Sequence, residues 1–172
     1  LGPSGTSAWL RQIGQTLGRQ QAAEALIEAE LASLERELGW LVAEHLLGRR
    51  VILVADGPLG QALDAFLQEL GMNVVAVMNV SAEPPDIDAG RLIQDPSAER
   101  FAAEVEGGQV DLVVGNGVFK HLTLDGPIPY LELGFPAYLT HALHPRPYLG
   151  FGGVRTLVEA LLNGLLERDQ HR

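Results

Sequence analysis

The chain has 172 residues, and its 12 lysines and arginines stand against 22 aspartates and glutamates, which gives a formal charge of −10. With 47% hydrophobic and 20% charged residues, it has the composition of a folded chain, which excludes disorder as the main state. The acidic balance disfavours general binding to nucleic acid or anionic lipid, and the lack of cysteine excludes thiolate-ligated clusters held by this chain alone. No apolar run of membrane-spanning length and no leader pattern is visible, so a cytoplasmic location is expected.

Residues 1–48 predict a helical lead-in segment. Thr6 is suited to cap a first helix that Gly18 ends. A long amphipathic helix is predicted from Arg19 to Leu47, which Gly39 could interrupt and Gly48 ends. The apolar residues of the first helix recur at helical spacing: Trp9, Leu10, Ile13 and Leu17.

Residues 49–172 alternate short apolar runs with helical periodicity, which predicts strands and helices in turn. Helices are expected over Pro58–Leu70, from Ser97 to Glu106, and from Gly152 or Gly153 onward. This alternation indicates an α/β fold: a Rossmann-like open parallel sheet of four to five strands flanked by helices, preceded by the long N-terminal helix. The predicted strands are Val51–Ala55, Val74–Val80, Leu92–Ile93, Val110–Val114 and Ile128–Leu133.

The loop Asp56–Gly60 follows the first predicted strand, at the edge where such sheets bind ligands. Its glycines could bring backbone amides close to an anion at a helix N-terminus, which would suit a nucleotide-binding domain. It lacks the dinucleotide glycine spacing and the lysine of a phosphate-binding loop. A tight turn with Pro58 at the first helical position is therefore the favoured interpretation.

Two further loops contain the candidate cofactor-binding residues. The turn at Gly115-Asn116-Gly117 is equally consistent with an ordinary turn and with a ligand-facing loop. The long loop Gly134–Gly153 gathers imidazole, guanidinium and phenol groups in an acidic protein, and we expect it close to Asn116, with Arg146 or a histidine turned toward the cleft. Its prolines could instead fix a stiff surface path with the histidines in solvent. The candidates are Gly115, Asn116, Lys120, Gly134, Phe135, His141, His144, Arg146 and Tyr148, with no metal ligand and no nucleophile triad among them.

Four motifs in this region carry a resemblance to a known family: Ile128-Pro129, Gly134-Phe135-Pro136, Tyr148-x-Gly150-Phe151-x-Gly153 and Asn163. With them, the segment Asp111–Glu167 resembles the C-terminal domain of nitrogenase component 1 type oxidoreductases. That family includes the nitrogenase molybdenum–iron protein, its cofactor-assembly scaffold and the dark-operative protochlorophyllide reductases. The segment Gly2–Gly18 resembles the stretch that leads into this domain, and Gly48–Val80 resembles its following strand, helix and strand.

The resemblance implies that this chain is one domain of a longer multi-domain subunit, and the start at Leu1 is expected of such a piece. Family subunits bind a metallocluster or a tetrapyrrole between several α/β domains, and the cysteines of the bridging iron–sulfur cluster lie in the N-terminal domain. The family also implies two partners, a related α-type subunit and an ATP-dependent iron–sulfur reductase. This domain would then wall the cofactor pocket and contact the partner subunit, hold no cofactor by itself, and be inactive alone.

One departure from the α-type pattern makes this chain resemble the β-type subunit or the β-like scaffold subunit. In the α-type nitrogenase subunit a cofactor-ligating histidine follows the Ile-Pro strand, and Gly134 takes that place here. Neither His141 nor His144 inherits that role by resemblance. Two other function classes remain open: a metal-chelate binding protein of the receptor type, in which a long helix also lies beside a Rossmann-like domain, and the nucleotide-binding domain described above.

Overall fold

A computed structural model describes residues 1–107, 109–123, 128–138, 140, 143 and 145–169, with side chains described up to residue 166. The helices and strands alternate as the sequence predicts. The strands are β1 (Arg50–Ala55), β2 (Asn73–Asn79), β3 (Leu92–Gln94), β4 (Leu112–Gly115) and β5 (Tyr130–Glu132). The helices are α1 (Gly2–Thr16), α2 (Gln20–His45), α3 (Gly57–Glu69), α4 (Ala98–Gly107) and α5 (Gly150–Asp169), with a short 3-10 helix at Lys120–Leu122.

The strands form one five-stranded sheet in the order β3-β2-β1-β4-β5, and every pair is parallel. The predicted Rossmann-like parallel sheet is therefore confirmed. In the central strand, Val51 pairs with Val74 on one side and with Leu112 on the other. Since all carboxyl ends of a parallel sheet lie along one edge, the loops that leave β1, β4 and β5 are neighbours in space.

The sheet is buried on both faces. Val51, Leu53 and Ala55 belong to a hydrophobic cluster shared with α2, α3 and α5, whereas Ile52 and Val54 belong to a second cluster that includes Phe101 of α4. This alternation is the period-two geometry of a strand, and it accounts for the continuous apolar run from Val51 to Ala55.

The lead-in is a pair of helices, of which α2 continues through Gly39 without a break. The predicted cap at Thr6 is wrong, because α1 already begins at Gly2. The Thr6 hydroxyl instead donates a hydrogen bond of 2.7 Å to the carbonyl of Gly2 inside the helix, so it satisfies its polar group without capping. Gly18 lies just after α1 with a φ of 64°, the left-handed conformation that the predicted stop requires.

Several boundaries differ from the prediction by a few residues. The last helix begins at Gly150 rather than at Gly152 or Gly153, and β5 contains only Tyr130–Glu132. Pro129 precedes that strand and has no N–H to donate, although its carbonyl accepts a hydrogen bond from Val113. Among the described residues, no helix is long and apolar enough to cross a membrane.

Candidate functional site

The carboxyl ends of β4 and β5 lie side by side, with Gly115 paired to Glu132. Asn116 follows at once and is buried, with its side-chain oxygen accepting a hydrogen bond of 3.1 Å from the Val118 N–H. Its carbonyl accepts a second bond, of 2.6 Å, from the hydroxyl of Tyr130. The Gly115-Asn116 turn is thus packed into the sheet edge, and neither polar group of Asn116 named here is left without a partner.

The start of the Gly134–Gly153 loop packs directly on this turn. The N–H of Gly117 donates a hydrogen bond of 2.6 Å to the carbonyl of Pro136. The peptide bond between Phe135 and Pro136 is cis. A β-carbon on Gly117 would lie 2.7 Å from the Glu132 carboxylate, so this close approach requires glycine. The start of the loop is therefore close to Asn116, as expected: a β-carbon on Gly134 would lie 3.8 Å from that of Asn116.

Glu132 is a functional candidate that the sequence analysis missed. Its side chain is completely buried, and its Oε1 accepts a hydrogen bond of 2.6 Å from the backbone N–H of Tyr138. Its Oε2 lies 3.4 Å from Nζ of Lys120, whose side chain is 17% exposed. The sequence contained one indication of this role: Glu132 is a carboxylate inside an otherwise apolar strand. A charge on a buried strand needs a partner.

Tyr130 is the neighbouring titratable group at this edge. Burial raises the pKa of its hydroxyl well above the ordinary value, and the nearby charge of Glu132 raises it further. The hydroxyl therefore stays protonated and acts as the donor to the Asn116 carbonyl. Its chemistry at this site is that of a fixed neutral donor.

Beside this edge lies an apolar cavity of about 680 Å³. Thr140, Arg146 and Tyr148 are polar residues of its lining, and Glu132 borders it with a completely buried side chain. The rest of the wall is aliphatic or glycine. The remaining lining residues are Leu1, Pro58, Leu59, Ala62, Leu63, Leu133, Gly134, Ala137, Leu149 and Leu157. A volume of this size is in the range of small-molecule and cofactor pockets, about 300–1,000 Å³.

The structure divides the predicted site residues into groups. Gly134, Arg146 and Tyr148 line the cavity, whereas Lys120 contacts Glu132 and Thr140 in the layer behind its wall. Phe135 is 82% exposed and points away from the core. Gly115 and Asn116 belong to the packed sheet edge, and His141 and His144 lie outside the described residues.

The Asp56–Gly60 loop is closely packed against the loop that follows β2. The N–H of Gly57 donates a hydrogen bond of 3.0 Å to the hydroxyl of Ser81, so this amide already has a partner. A β-carbon at Gly57 would lie 2.5 Å from the carbonyl of Glu83, which shows how closely the following loop covers the start of α3. This packing favours the tight-turn interpretation over the nucleotide-binding one.

The donor atoms of this chain do not fit the ligand set of an iron–sulfur cluster. The sequence contains no cysteine, and the described residues contain no group of three or more histidine, aspartate or glutamate side chains placed to hold a metal ion. Such clusters are held chiefly by thiolates. This part of the chain offers a bound group an apolar wall that includes the guanidinium of Arg146 and the phenol of Tyr148.

Residues 1–166 match the family model described as "Nitrogenase component 1 type Oxidoreductase". The chain belongs to this family. Among curated relatives, the nitrogenase molybdenum–iron protein beta chain of Frankia alni is 28% identical, with 97% of this chain and 34% of the relative aligned. The corresponding alpha chain of Methanococcus maripaludis is also 28% identical, over 89% of this chain and 32% of the relative.

Solved structures agree on the fold. The structure of nitrogenase Cp1 at pH 6.5 superimposes with a TM-score of 0.86 at 22% sequence identity, covering 100% of this chain and 40% of that one. This nitrogenase component 1 family chain therefore shares its fold with a part of the nitrogenase Cp1 chain. It spans about a third of the length of the curated relatives named here.

Proposed function

We propose that this chain is the C-terminal domain of a longer, β-type nitrogenase component 1 subunit, either an oxidoreductase or a metallocofactor scaffold. Its role is to form one wall of the cofactor pocket and part of the interface with a related α-type subunit. Electrons for the reaction come from an ATP-dependent iron–sulfur reductase, and the clusters that carry them are ligated by other parts of the assembly, because this chain has no cysteine.

The apolar cavity at the carboxyl edge of the sheet is the observation that carries the pocket role. In open parallel sheets, ligands bind at this edge. The cavity is lined by Gly134, Arg146 and Tyr148, from the loop with the most family-specific motifs. An arginine among aliphatic walls is suited to an anionic group on a bound cofactor, since its planar fork donates several hydrogen bonds.

The interface role is supported by apolar side chains that surround the same edge. Phe135, Leu149 and Tyr138 are 82%, 74% and 60% exposed, respectively. Large apolar groups gathered at one edge of a domain mark surfaces that another protein covers. The neighbouring domain or the α-type subunit would cover them in the assembly.

The test uses the longer subunit that the proposal requires, purified anaerobically with its α-type partner. Arg146→Ala is compared with Arg100→Ala, which removes an exposed arginine of the α4 ion pair on the opposite face of the sheet. We expect Arg146→Ala to lower the content of bound metal or tetrapyrrole, or the amount of co-purifying α-type subunit, and Arg100→Ala to change neither. Unchanged values for both variants would contradict the proposed role of this wall.

A further inference from the structure

We infer that Glu132 is the positioning residue of the cavity, with Lys120 as its counter-ion. It acts on the wall segment, which we define as residues 134–138 together with Thr140. The inference rests on the proposed function only in taking the cavity as the site. The sequence predicts Lys120 as a cofactor contact, and this inference gives it the role of counter-ion to Glu132.

The burial of Glu132 is the first step of the argument. Removing a carboxylate from water is costly unless it is paired and hydrogen-bonded, and this one is completely buried at the end of β5. Its two oxygens have different partners: Oε1 accepts from the Tyr138 N–H at 2.6 Å, and Oε2 faces Nζ of Lys120 at 3.4 Å. Lys120 therefore balances the charge of the carboxylate, while Oε1 holds the backbone N–H of Tyr138 in place.

The wall segment is bound to the sheet edge at alternate residues. The carbonyl of Pro136 accepts from Gly117, the N–H of Tyr138 donates to Glu132, and the Oγ1 of Thr140 lies 3.3 Å from Nζ of Lys120. The Tyr138 bond has a charged acceptor and the Thr140 contact has a charged donor, and charge-assisted bonds are about twice as strong as neutral ones. Of the two, the Tyr138 bond is the shorter, at 2.6 Å against 3.3 Å, and its acceptor is completely buried. Among these three contacts, the Glu132 carboxylate is thus the strongest attachment point.

The same segment shapes the cavity. The cavity is lined by Gly134, Ala137 and Thr140 of the segment. These residues lie next to or near Pro136 and Tyr138, whose backbone groups are hydrogen-bonded to the sheet edge. A shift of the segment would therefore move the cavity wall. Nothing in this argument requires Glu132 to touch a ligand, which is why we call it a positioning residue.

Amide hydrogen exchange of Tyr138, measured by NMR on the 172-residue chain, tests the inference. Glu132→Gln keeps an acceptor oxygen and removes the charge, and Lys120→Met keeps the stem and removes the cation. We expect each to accelerate exchange at the Tyr138 amide by about tenfold or more. The acceleration should be smaller at the amide of Val77, which is bonded to the carbonyl of Arg91 near the other edge of the sheet and reports on global stability.

The double variant Glu132→Gln/Lys120→Met separates positioning from general stability, because it removes both charges of the pair and leaves neither one buried without the other. We expect it to recover global stability relative to the single variants, while Tyr138 continues to exchange as fast as in Glu132→Gln. Glu104→Gln, which removes a carboxylate from the α4 ion pair, is the control and should leave Tyr138 unchanged.

Two results would overturn the inference: exchange at Tyr138 that Glu132→Gln does not alter, or acceleration of the Tyr138 and Val77 amides to the same extent. Because the readout is the wall segment itself, neither outcome depends on whether the chain binds a cofactor. Conversely, an Arg146→Ala variant with unchanged cofactor content and unchanged subunit association would contradict the proposed function and leave the positioning role of Glu132 intact.

Discussion

Arg155 of α5 donates two hydrogen bonds to the carboxylate of Glu37 in α2, of 2.6 Å to Oε2 and 2.9 Å to Oε1. The two residues are 118 positions apart, so this bidentate contact joins the last helix to the lead-in segment. The bonds from Arg155, and one from Ser33, hold the pKa of Glu37 at about 2. The lead-in and the Rossmann-like part are thereby linked through a charge pair as well as through apolar packing.

This link predicts a pH dependence of stability. The pKa of Glu37 is lowered from 4.5 to about 2 on folding, so the pair stabilises fully above about pH 4.5 and its contribution is lost as the pH falls toward 2. Glu37→Gln should therefore differ from the wild type in urea midpoint at pH 6, and differ much less at pH 3. Glu159→Gln, an exposed carboxylate change on α5, controls for the loss of one negative charge. The same difference at both pH values would contradict the prediction.

Removal of Arg91 should destabilise the fold. Its Nη1 and Nη2 donate to the two oxygens of Asp64, at 2.7 and 3.2 Å, and the Asp64 side chain is only 8% exposed. Arg91→Ala leaves that carboxylate buried without its fork of donors, which should lower the free energy of unfolding by about 2 kcal/mol. Arg100→Ala, at an exposed pair on α4, should lower it by less than about 0.5 kcal/mol. Equal losses in urea denaturation would be the contrary outcome.

Alanine at two glycines should have effects of opposite sign. In Gly117→Ala the new β-carbon would lie 2.7 Å from both the Glu132 carboxylate and the Tyr138 ring, and relieving this overlap should cost about 1–3 kcal/mol. Gly5→Ala, in α1, meets nothing within 4 Å and should stabilise by about 0.5 kcal/mol because alanine favours helix. Thermal unfolding of both variants measures the difference. A Gly117→Ala protein as stable as the wild type would show that the wall segment can move freely.

The chain purified alone under anaerobic conditions should contain no stoichiometric iron or sulfide and should be colourless. The reason is the absence of cysteine from the sequence, since protein-bound iron–sulfur clusters depend on thiolate ligands. Iron and sulfide analysis together with the visible absorption spectrum measures this, before and after incubation with ferrous iron and sulfide. A stoichiometric cluster that survives desalting would contradict the prediction.

The sequence was sufficient for those parts of the fold that depend on local periodicity. The apolar run from Val51 to Ala55 predicted a strand buried on both faces, and Ser97 predicted the start of α4, where its hydroxyl accepts from the Arg100 N–H at 3.2 Å. Thr6 was assigned wrongly because a threonine at a cap and a threonine inside a helix both bond to nearby backbone. The pattern alone does not distinguish the two.

The order of residues along the chain was enough to predict the α/β class, the parallel sheet, the lack of thiolate ligands and the gathering of Arg146 and Tyr148 in one loop. The pairing of Lys120 with Glu132, and of Glu37 with Arg155, became visible only in the folded chain. Hydrophobic periodicity and turn chemistry act between residues close together in the chain, so they can be read in order along it. The partner of a buried charge is decided by which strand ends and helices the fold brings within about 3–4 Å. That choice depends on the packing of the whole sheet, and no local pattern contains it.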